Sequence, residues 1–395
     1  MQRKHTVLRD ATKATTREPF EPAGTNRARV GRLEVAPAPP EPRIETEDLS
    51  PSALRQLARD PEVVGIAPVM PTRLIAPFES AAAVGAWGVA AVRADVSAFT
   101  GQGTTVAVLD TGIDPGHAAF TGVTLVQEDF SGDGNGDGHG HGTHCAGTIF
   151  GRDVNGTRIG IARAVPRALI GKALKNDGSG NSDMIFRAIQ WAVDGAADVI
   201  SMSLGFDFPG LVADLVGKGW PAALATSVAL EAYRGNLRMF DALMGMIRAR
   251  AAFGHSVVVV AAAGNESERD TNPDFEIAAS LPAAAEGVIS VGALKQSPAG
   301  LAIAPFSNTL PQISAPGVDI QSAKAGGGLR SLSGTSMACP HVAGVAALWW
   351  QQVRGLPVPA NASTVTARLM AAARLDTLAP GIDVADRGVG LVTAP

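Results

Sequence analysis

The chain has 395 residues, of which 46% are hydrophobic and 18% charged, and its formal net charge is −4. This composition is typical of a globular protein with a substantial core, and the slight negative charge gives no electrostatic reason to expect a nucleic acid or an anionic membrane as partner. Only two cysteines are present, Cys145 and Cys339, which excludes a disulfide framework; we expect both to be free thiols in apolar surroundings.

The first 29 residues are polar and basic, with seven Lys and Arg against three Asp and Glu. Because such a segment buries little apolar surface, it is predicted to be a disordered tail. It lacks the apolar stretch of a signal peptide, and no run in the chain approaches the roughly 18 apolar residues that span a bilayer. We therefore expect a cytoplasmic protein by default, with export by a non-classical route left open.

A small α+β module is predicted for residues 30–79, ahead of a large domain at 80–395. The predicted elements of the module are a strand at 32–36, a helix over 53–60 with Ser50 or Ser52 as N-cap, and a strand at 63–67. A module of this size has a small core, so we expect it to fold against the larger domain.

The large domain contains apolar runs that alternate with helical patterns. The runs are continuous, which is typical of strands buried on both faces of a parallel sheet. They lie at 106–109, 168–174, 198–203, 257–263 and 288–292, with helices predicted over 182–195 and 230–252. This alternation predicts an α/β domain with a mostly parallel sheet. Ligands bind such sheets at the carboxyl ends of strands, where Asp110, Ser203 and Asn265 stand.

One connection, between the third and fourth of these strands, is unusually long. Its second half repeats apolar residues at three- and four-residue spacing, which predicts an amphipathic helix packed on the sheet. Its first half, 206–227, contains Pro209, Gly210 and Trp220 and is predicted to be an inserted excursion. We place the insertion around 206–232.

Three residues with the chemistry of a nucleophilic site lie at the ends of these elements. Asp110 ends the first strand, His141 lies in a glycine-rich approach to a helix, and Ser336 begins an apolar helix. Serine at a helix start is also a common N-cap, so Ser336 alone is a weak signal. A serine hydroxyl needs a base such as histidine, and a buried carboxylate fixes the histidine tautomer. The three together predict nucleophilic catalysis.

The sequences around these residues resemble the three signature blocks of subtilisin-like serine proteases. The blocks are VLDTGID at 108–114, HGTHCAGT at 141–148 and GTSMACPHVAG at 334–344, and the cysteine at 145 is similar to the proteinase K branch. The resemblance runs from about Trp87 to Leu391. It implies a three-layer α/β/α fold and a serine endopeptidase that hydrolyses peptide bonds through an acyl-enzyme.

The same resemblance implies a role for each matching residue. Ser336 is implied to be the nucleophile, His141 the general base and acid, Asp110 its orienter, and Asn265 an oxyanion donor beside the backbone N–H of Ser336. A peptide substrate is expected to add as a strand to the segments that line it. The substrate-binding residues implied in this way are Gly178, Ser179, Gly180, Ser203, Leu204, Gly205, Ala263 and Gly264.

Residues 30–76 resemble the inhibitory propeptide of this family, most closely at 60–66; the alternative is an unrelated N-terminal extension. A propeptide is expected to assist folding, to block the cleft as an intramolecular inhibitor, and to be cut near residues 72–86. The excursion follows a substrate-lining segment directly, which suggests the hypothesis that it forms a lid or rim that narrows specificity.

Cofactors are not required by this chemistry, and two metal interpretations stay open as alternatives. His139, His141, His144 and Cys145 form a possible ligand cluster. Residues 133–138 copy the first half of an EF-hand loop, but His144 occupies its last position. Structural calcium, common in relatives, is doubtful because Ala119 replaces a ligand aspartate, although Asp153 and Asn155 lie in the loop that supplies others.

Two functional alternatives also stay open. The first is a peptide-maturation enzyme that transfers the acyl group to an amine, as a macrocyclase or ligase, because only the final acceptor distinguishes this chemistry from hydrolysis. The second is a non-catalytic subtilisin-like binding protein, which loss of a triad residue would favour.

Overall fold

The computed structural model of the chain describes residues 3–16, 40–79, 85–254 and 256–395. The N-terminal part is a three-stranded antiparallel sheet with one helix. Its elements are β1 (Arg3–Asp10), a 3-10 turn (Ala11–Thr16), β2 (Pro42–Leu49), α1 (Pro51–Leu57) and β3 (Val63–Pro68). Strand β1 is central, with β2 on one side and β3 on the other. Ser50 caps α1 by accepting a hydrogen bond from Ala53 N.

Strand β1 contradicts the prediction that residues 1–29 form a disordered tail. Val7 and Leu8 in this strand are fully buried, and both strand edges are hydrogen-bonded. Arg9 pairs with Glu45 and Asp60, so its charge stabilises the sheet where the composition suggested a solvated tail. The module therefore includes β1. Residues 17–29 of the predicted tail and the predicted strand at 32–36 lie outside the described residues.

The chain then enters the large domain. Two short strands, β4 (Pro71–Leu74) and β5 (Phe78–Glu79), pair with strands of that domain. The remaining strands are β6 (Thr105–Asp110), β7 (Thr124–Asp129), β8 (Arg167–Lys172), β9 (Ser179–Asn181), β10 (Val199–Met202), β11 (Leu204–Phe206), β12 (Val258–Ala262), β13 (Val288–Ser297), β14 (Gly300–Ile303), β15 (Ile313–Pro316), β16 (Ile320–Ala323) and β17 (Leu329–Ser333). The helices are α2 (Trp87–Ala91), α3 (His141–Phe150), α4 (Ser182–Asp194), α5 (Phe208–Gly217), α6 (Ala222–Arg250), α7 (Thr335–Arg354), α8 (Ala362–Ala371) and α9 (Val384–Arg387), with 3-10 turns at Ala118–Phe120 and Ala251–Phe253.

An eight-stranded sheet forms the middle layer, in the order β14-β13-β12-β10-β6-β8-β7 with β15 also paired to β13. All of its pairings are parallel except β13 with β14. One face packs against α3 and α7, and the other against α4 and α6. This confirms the predicted three-layer α/β/α fold with a mostly parallel sheet.

The predicted insertion is built from α5 and the first turns of α6. Helix α6 begins at Ala222, eight residues before the start predicted from its apolar spacing. Its Phe240 packs against Phe186 of α4, with ring centroids 4.5 Å apart, so α6 lies beside α4 on the same face of the sheet. None of the described helices is both long and apolar enough to span a membrane.

Candidate active site

Two buried side chains meet at the carboxyl end of the central sheet. Asp110 is the last residue of β6 and His141 the first residue of α3. A hydrogen bond of 2.8 Å joins His141 Nδ1 to Asp110 Oδ1, and Asp110 Oδ1 also accepts from Thr111 N at 2.7 Å. A carboxylate at Nδ1 favours the tautomer with the proton on that nitrogen and leaves Nε2 free to accept one.

Asp137 ties these two residues together and was not identified from the sequence. Its Oδ1 accepts from Thr111 Oγ1 at 2.8 Å and from Gly140 N at 2.6 Å, and its Oδ2 accepts from the backbone and hydroxyl of Thr143 at 2.8 and 2.6 Å. Burial alone would raise the pKa of Asp137, but these hydrogen bonds outweigh it and hold that pKa below its ordinary value. The carboxylate thus connects the residue after Asp110 to the first turn of α3.

Ser336 lies at the start of α7 and is buried. Its Oγ donates to the carbonyl oxygen of Ile75 at 3.0 Å, with a longer contact of 3.5 Å to Ser203 O. Among the described residues these are the acceptors of the hydroxyl, and none of its bonds goes to His141. The backbone N–H groups of this first helical turn lie at the positive end of the α7 dipole.

Asn265 lies beside Ser336, and its amide is oriented by Thr335. Asn265 Oδ1 accepts from Thr335 N at 2.9 Å and Thr335 Oγ1 at 2.8 Å, which turns Nδ2 toward the cleft. There Nδ2 donates to the carbonyl oxygen of Ala76 at 3.0 Å. The preceding Ala263 and Gly264 continue from β12; Ser280 N donates to Ala263 O at 3.1 Å and Gly264 N donates to Thr335 Oγ1 at 3.2 Å.

The cleft next to these residues contains a segment of the chain itself. Strand β4 lies between β9 and β11 and is antiparallel to both. Leu74 lies opposite Leu204 and donates its N–H to Gly178 O at 2.8 Å. A Cβ on Gly180 would lie 2.9 Å from Thr72 Oγ1, so glycine there permits the close approach. The predicted substrate-lining residues of β9 and β11, with Ser179 opposite Arg73, therefore contact residues 71–74.

The segment continues past Ser336 and pairs again on its far side. Strand β5 is antiparallel to β17, with Phe78 opposite Ser333. Between the two strands, the Ile75 side chain is only 3% exposed and lies against Gly205, where an added Cβ would stand 3.4 Å from Ile75 Cγ1. Ala76, by contrast, is exposed. The peptide between Ile75 and Ala76 is thus fixed by strand pairing on both sides of the Ser336 hydroxyl.

Residues 101–390 match the family model described as the subtilase family. The chain belongs to the subtilase family. It is 32% identical over 307 residues to subtilisin E of Bacillus subtilis (strain 168), covering 76% of this chain and 68% of that protein. It is 37% identical over 259 residues to a thermophilic serine proteinase of Bacillus sp. (strain AK1), covering 64% and 53% respectively. It is 32% identical over 269 residues to subtilisin DY of Bacillus licheniformis, covering 66% and 83%. The predicted family is therefore confirmed: this subtilase is a serine endopeptidase, and its substrates are polypeptides.

The predicted histidine and cysteine cluster does not converge in this subtilase. His144 Nε2 is hydrogen-bonded to Ile320 O at 3.0 Å, and burial lowers the pKa of His144 to about 3. Asp110, His141 and Cys145 do have ligand atoms within 4.8 Å of one another. However, Nδ1 of His141 is hydrogen-bonded to Asp110, and burial raises the pKa of the Cys145 thiol.

The carboxylates in and beside the EF-hand-like turn are hydrogen-bonded within the protein. Both carboxylate oxygens of Asp137 accept hydrogen bonds from N–H and O–H donors of the protein, as described above. Asp129, at the end of β7, is used in the same way, with Oδ1 accepting from Ser131 N at 2.8 Å and Oδ2 from Gly134 N at 2.8 Å. Carboxylates that are committed to donors in this way hold the turn itself.

Proposed function

We propose that Ser336, His141 and Asp110 are the catalytic triad of this subtilase and that Asn265 is the side-chain donor of its oxyanion hole. The observation that carries the proposal is the cluster at one end of the sheet: the 2.8 Å bond between His141 and Asp110, and Ser336 Oγ at the carbonyl of an extended peptide. Within the family's chemistry these residues suffice for acyl transfer without a cofactor.

The proposed steps are those of triad chemistry in this family. His141 Nε2 takes the proton of Ser336 Oγ as the oxygen attacks the carbonyl carbon, and Asp110 stabilises the imidazolium that forms. Asn265 Nδ2 and the N–H of Ser336 donate to the oxyanion. Because Thr335 already orients the Asn265 side-chain amide, that amide needs little reorganisation when the oxyanion forms. One such donor is typically worth ~2.7–4 kcal/mol of barrier. The imidazolium protonates the leaving amine, and water then resolves the acyl-enzyme by the reverse sequence.

We further propose that the enzyme cleaves its own chain between Ile75 and Ala76. Two adjacent carbonyls compete for the site, because Ser336 Oγ contacts Ile75 O while Asn265 Nδ2 holds Ala76 O. Ile75 has its side chain in a pocket, whereas Ala76 is exposed and is followed by Pro77, whose tertiary amide nitrogen would be the leaving atom. The anchored side chain favours Ile75 as the acyl residue.

We propose that the same arrangement lets the N-terminal segment inhibit the enzyme. For cleavage, the Ile75 carbonyl oxygen must replace the Ala76 oxygen at Asn265, so the bound segment is held one carbonyl away from the productive position. The module adds affinity outside the cleft: Ile44 N donates to Gln190 Oε1 of α4 at 3.0 Å, and Asn236 Nδ2 of α6 donates to Pro68 O at 2.9 Å. A segment tethered in this way competes at high effective concentration with other peptides.

Labelling with a serine-directed fluorophosphonate tests the triad. The wild type should be labelled at Ser336 and Ser336→Ala should not, while Asp110→Asn should lower hydrolysis of a peptide by on the order of 10⁴-fold without loss of fold. An unlabelled wild type would contradict the proposal and favour a binding protein. Mass spectrometry of the products formed in the presence of an added amine separates hydrolysis from acyl transfer, the alternative that proceeds through the same acyl-enzyme. Hydrolysis leaves a free carboxylate, whereas acyl transfer leaves the amine attached to the product.

A further inference from the structure

We propose that the cleft selects a basic residue two positions before the acyl residue, and that Asp207 and Glu266 are the pair of acids that recognises it. In the usual numbering of protease substrates, Ile75 is P1 and Arg73 is P3. The inference rests on the proposed function, because it takes residues 71–76 as the first substrate of the enzyme. The ligand class is a polypeptide with arginine or lysine at P3.

The Arg73 guanidinium reaches both acids at once. Arg73 Nη1 lies 3.4 Å from Asp207 Oδ1, and Nη2 lies 3.5 Å from Glu266 Oε1. The flanking Thr72 and Leu74 are buried, whereas the Arg73 side chain is 45% exposed. The contact at this position is therefore electrostatic, because no closed pocket surrounds the side chain.

The two acids come from the walls that bind the substrate backbone. Asp207 directly follows β11, the strand that pairs with β4, and its own N–H donates to Pro71 O at 3.0 Å. Glu266 directly follows Asn265. Asp207 also lies at the start of the insertion, as the N-cap of α5, so the insertion contributes to the rim of the cleft at P3 to P5.

Both carboxylates are held in place by contacts that do not involve Arg73. Asp207 Oδ1 caps α5 by accepting from Gly210 N at 3.0 Å. Glu266 Oε2 accepts from Asn308 Nδ2 at 2.7 Å, which leaves Oε1 toward Arg73. Acids fixed in this way before a substrate arrives lose less conformational entropy when the cation binds.

The size of the effect follows from the partial exposure of the three side chains. Ion pairs of this kind each contribute modestly because water screens them. Two of them acting on one cation should give a preference of roughly 3- to 20-fold for arginine over a neutral residue at P3. Glutamate at P3 should be disfavoured further by repulsion.

Internally quenched peptides with the sequence of residues 71–79 test the preference directly. We would compare kcat/KM for Arg, Gln and Glu at the third position, in the wild type and in Asp207→Asn/Glu266→Gln. Asn still caps a helix, and Gln still offers an acceptor to Asn308, so the fold and the triad are unaltered. We expect the arginine preference, taken as the ratio of kcat/KM for the Arg and Gln peptides in the same enzyme, to fall to about one in the double variant. An equal preference in both enzymes, or none in the wild type, would overturn the inference.

A second measurement does not depend on catalysis or on release of the segment. In full-length Ser336→Ala, hydrogen exchange at the Leu74 amide reports opening of β4. Arg73→Gln and Asp207→Asn/Glu266→Gln should each accelerate exchange roughly 3- to 20-fold, and combining them should add nothing. Unchanged exchange in Arg73→Gln would overturn the inference even if the triad is correct. If the wild type cleaves no peptide, the proposed function fails, but hydrogen exchange at the Leu74 amide still tests whether Asp207 and Glu266 hold Arg73.

Discussion

Replacing Asp137 by asparagine should damage both the stability and the activity of the enzyme. The carboxylate accepts hydrogen bonds from the backbone N–H groups of His139 and Gly140 on Oδ1 and of Thr143 on Oδ2, and from the hydroxyls of Thr111 and Thr143. An amide has only one oxygen, so in either orientation an NH₂ group faces a buried N–H donor. Leaving such a donor unpaired costs ~1–3 kcal/mol, and loss of the charge-assisted bonds adds to this, so we expect a destabilisation of about 2–4 kcal/mol.

Urea unfolding of wild type and Asp137→Asn as a function of pH measures the effect. Because the pKa of Asp137 is lowered on folding, its contribution is fully present above the ordinary aspartate value of 3.8 and is lost as the pH falls through the lower folded value. The two proteins should therefore converge in strong acid. Asp133→Asn, in the same turn but exposed and accepting one bond from Asn176 N, is the matched control and should cost less than about 1 kcal/mol.

Activity should fall with stability in Asp137→Asn, because the residue connects the two sides of the Asp110–His141 pair. We expect a loss of at least roughly tenfold in kcat with a smaller change in KM, since the substrate-lining strands are untouched. This account of the turn would be refuted by a variant as stable and as active as the wild type, or by one whose loss of stability relative to the wild type increases as the pH falls.

Three further outcomes follow from the structure. Gly205→Val should suppress cleavage after Ile75 and favour a smaller P1 residue, because the valine side chain would enter the pocket that Ile75 fills. Sequencing the products of a peptide library would show this change in P1 preference, and an unchanged P1 preference would contradict it. Burial holds the pKa of His144 at about 3 in the folded protein, so below about pH 6.5 only the unfolded chain takes up its proton and the free energy of unfolding should fall by up to about 1.4 kcal/mol per pH unit. His144→Gln should reduce that pH dependence in urea unfolding experiments. Cys145 and Cys339 are buried and burial raises the pKa of both, to about 11 for Cys339, so neither should react with a disulfide reagent until the protein unfolds; rapid native labelling would show that the packing described here opens.

The middle of the central sheet was predictable because its strands carry their own signal. Runs such as Val258–Ala262 are apolar on both faces, so five of the eight strands could be located without knowledge of their neighbours, whereas β7, β14 and β15 were not predicted. The family, the fold class and the enzyme class were predicted from the three signature blocks around Asp110, His141 and Ser336, and they are confirmed.

The elements that were missed depend on partners far away in the sequence. Strand β1 has only Val7 and Leu8 as buried aliphatic residues, and its pairing strands begin at residues 42 and 63. Strands β4 and β5 have no pattern of their own because they form by addition to the walls of the cleft. The role of Asp137 was hidden for a related reason: its spacing is that of a calcium loop, and only the positions of its hydrogen-bond donors show a different use.

The most direct test of the account is the intact mass of purified wild type and Ser336→Ala after incubation at neutral pH. Self-cleavage by Ser336 predicts that the wild type yields a chain beginning at Ala76 while the variant stays whole, because its cleft holds the same segment without a nucleophile. A wild type that stays whole, or a variant that is cut at the same bond and rate, would contradict the account.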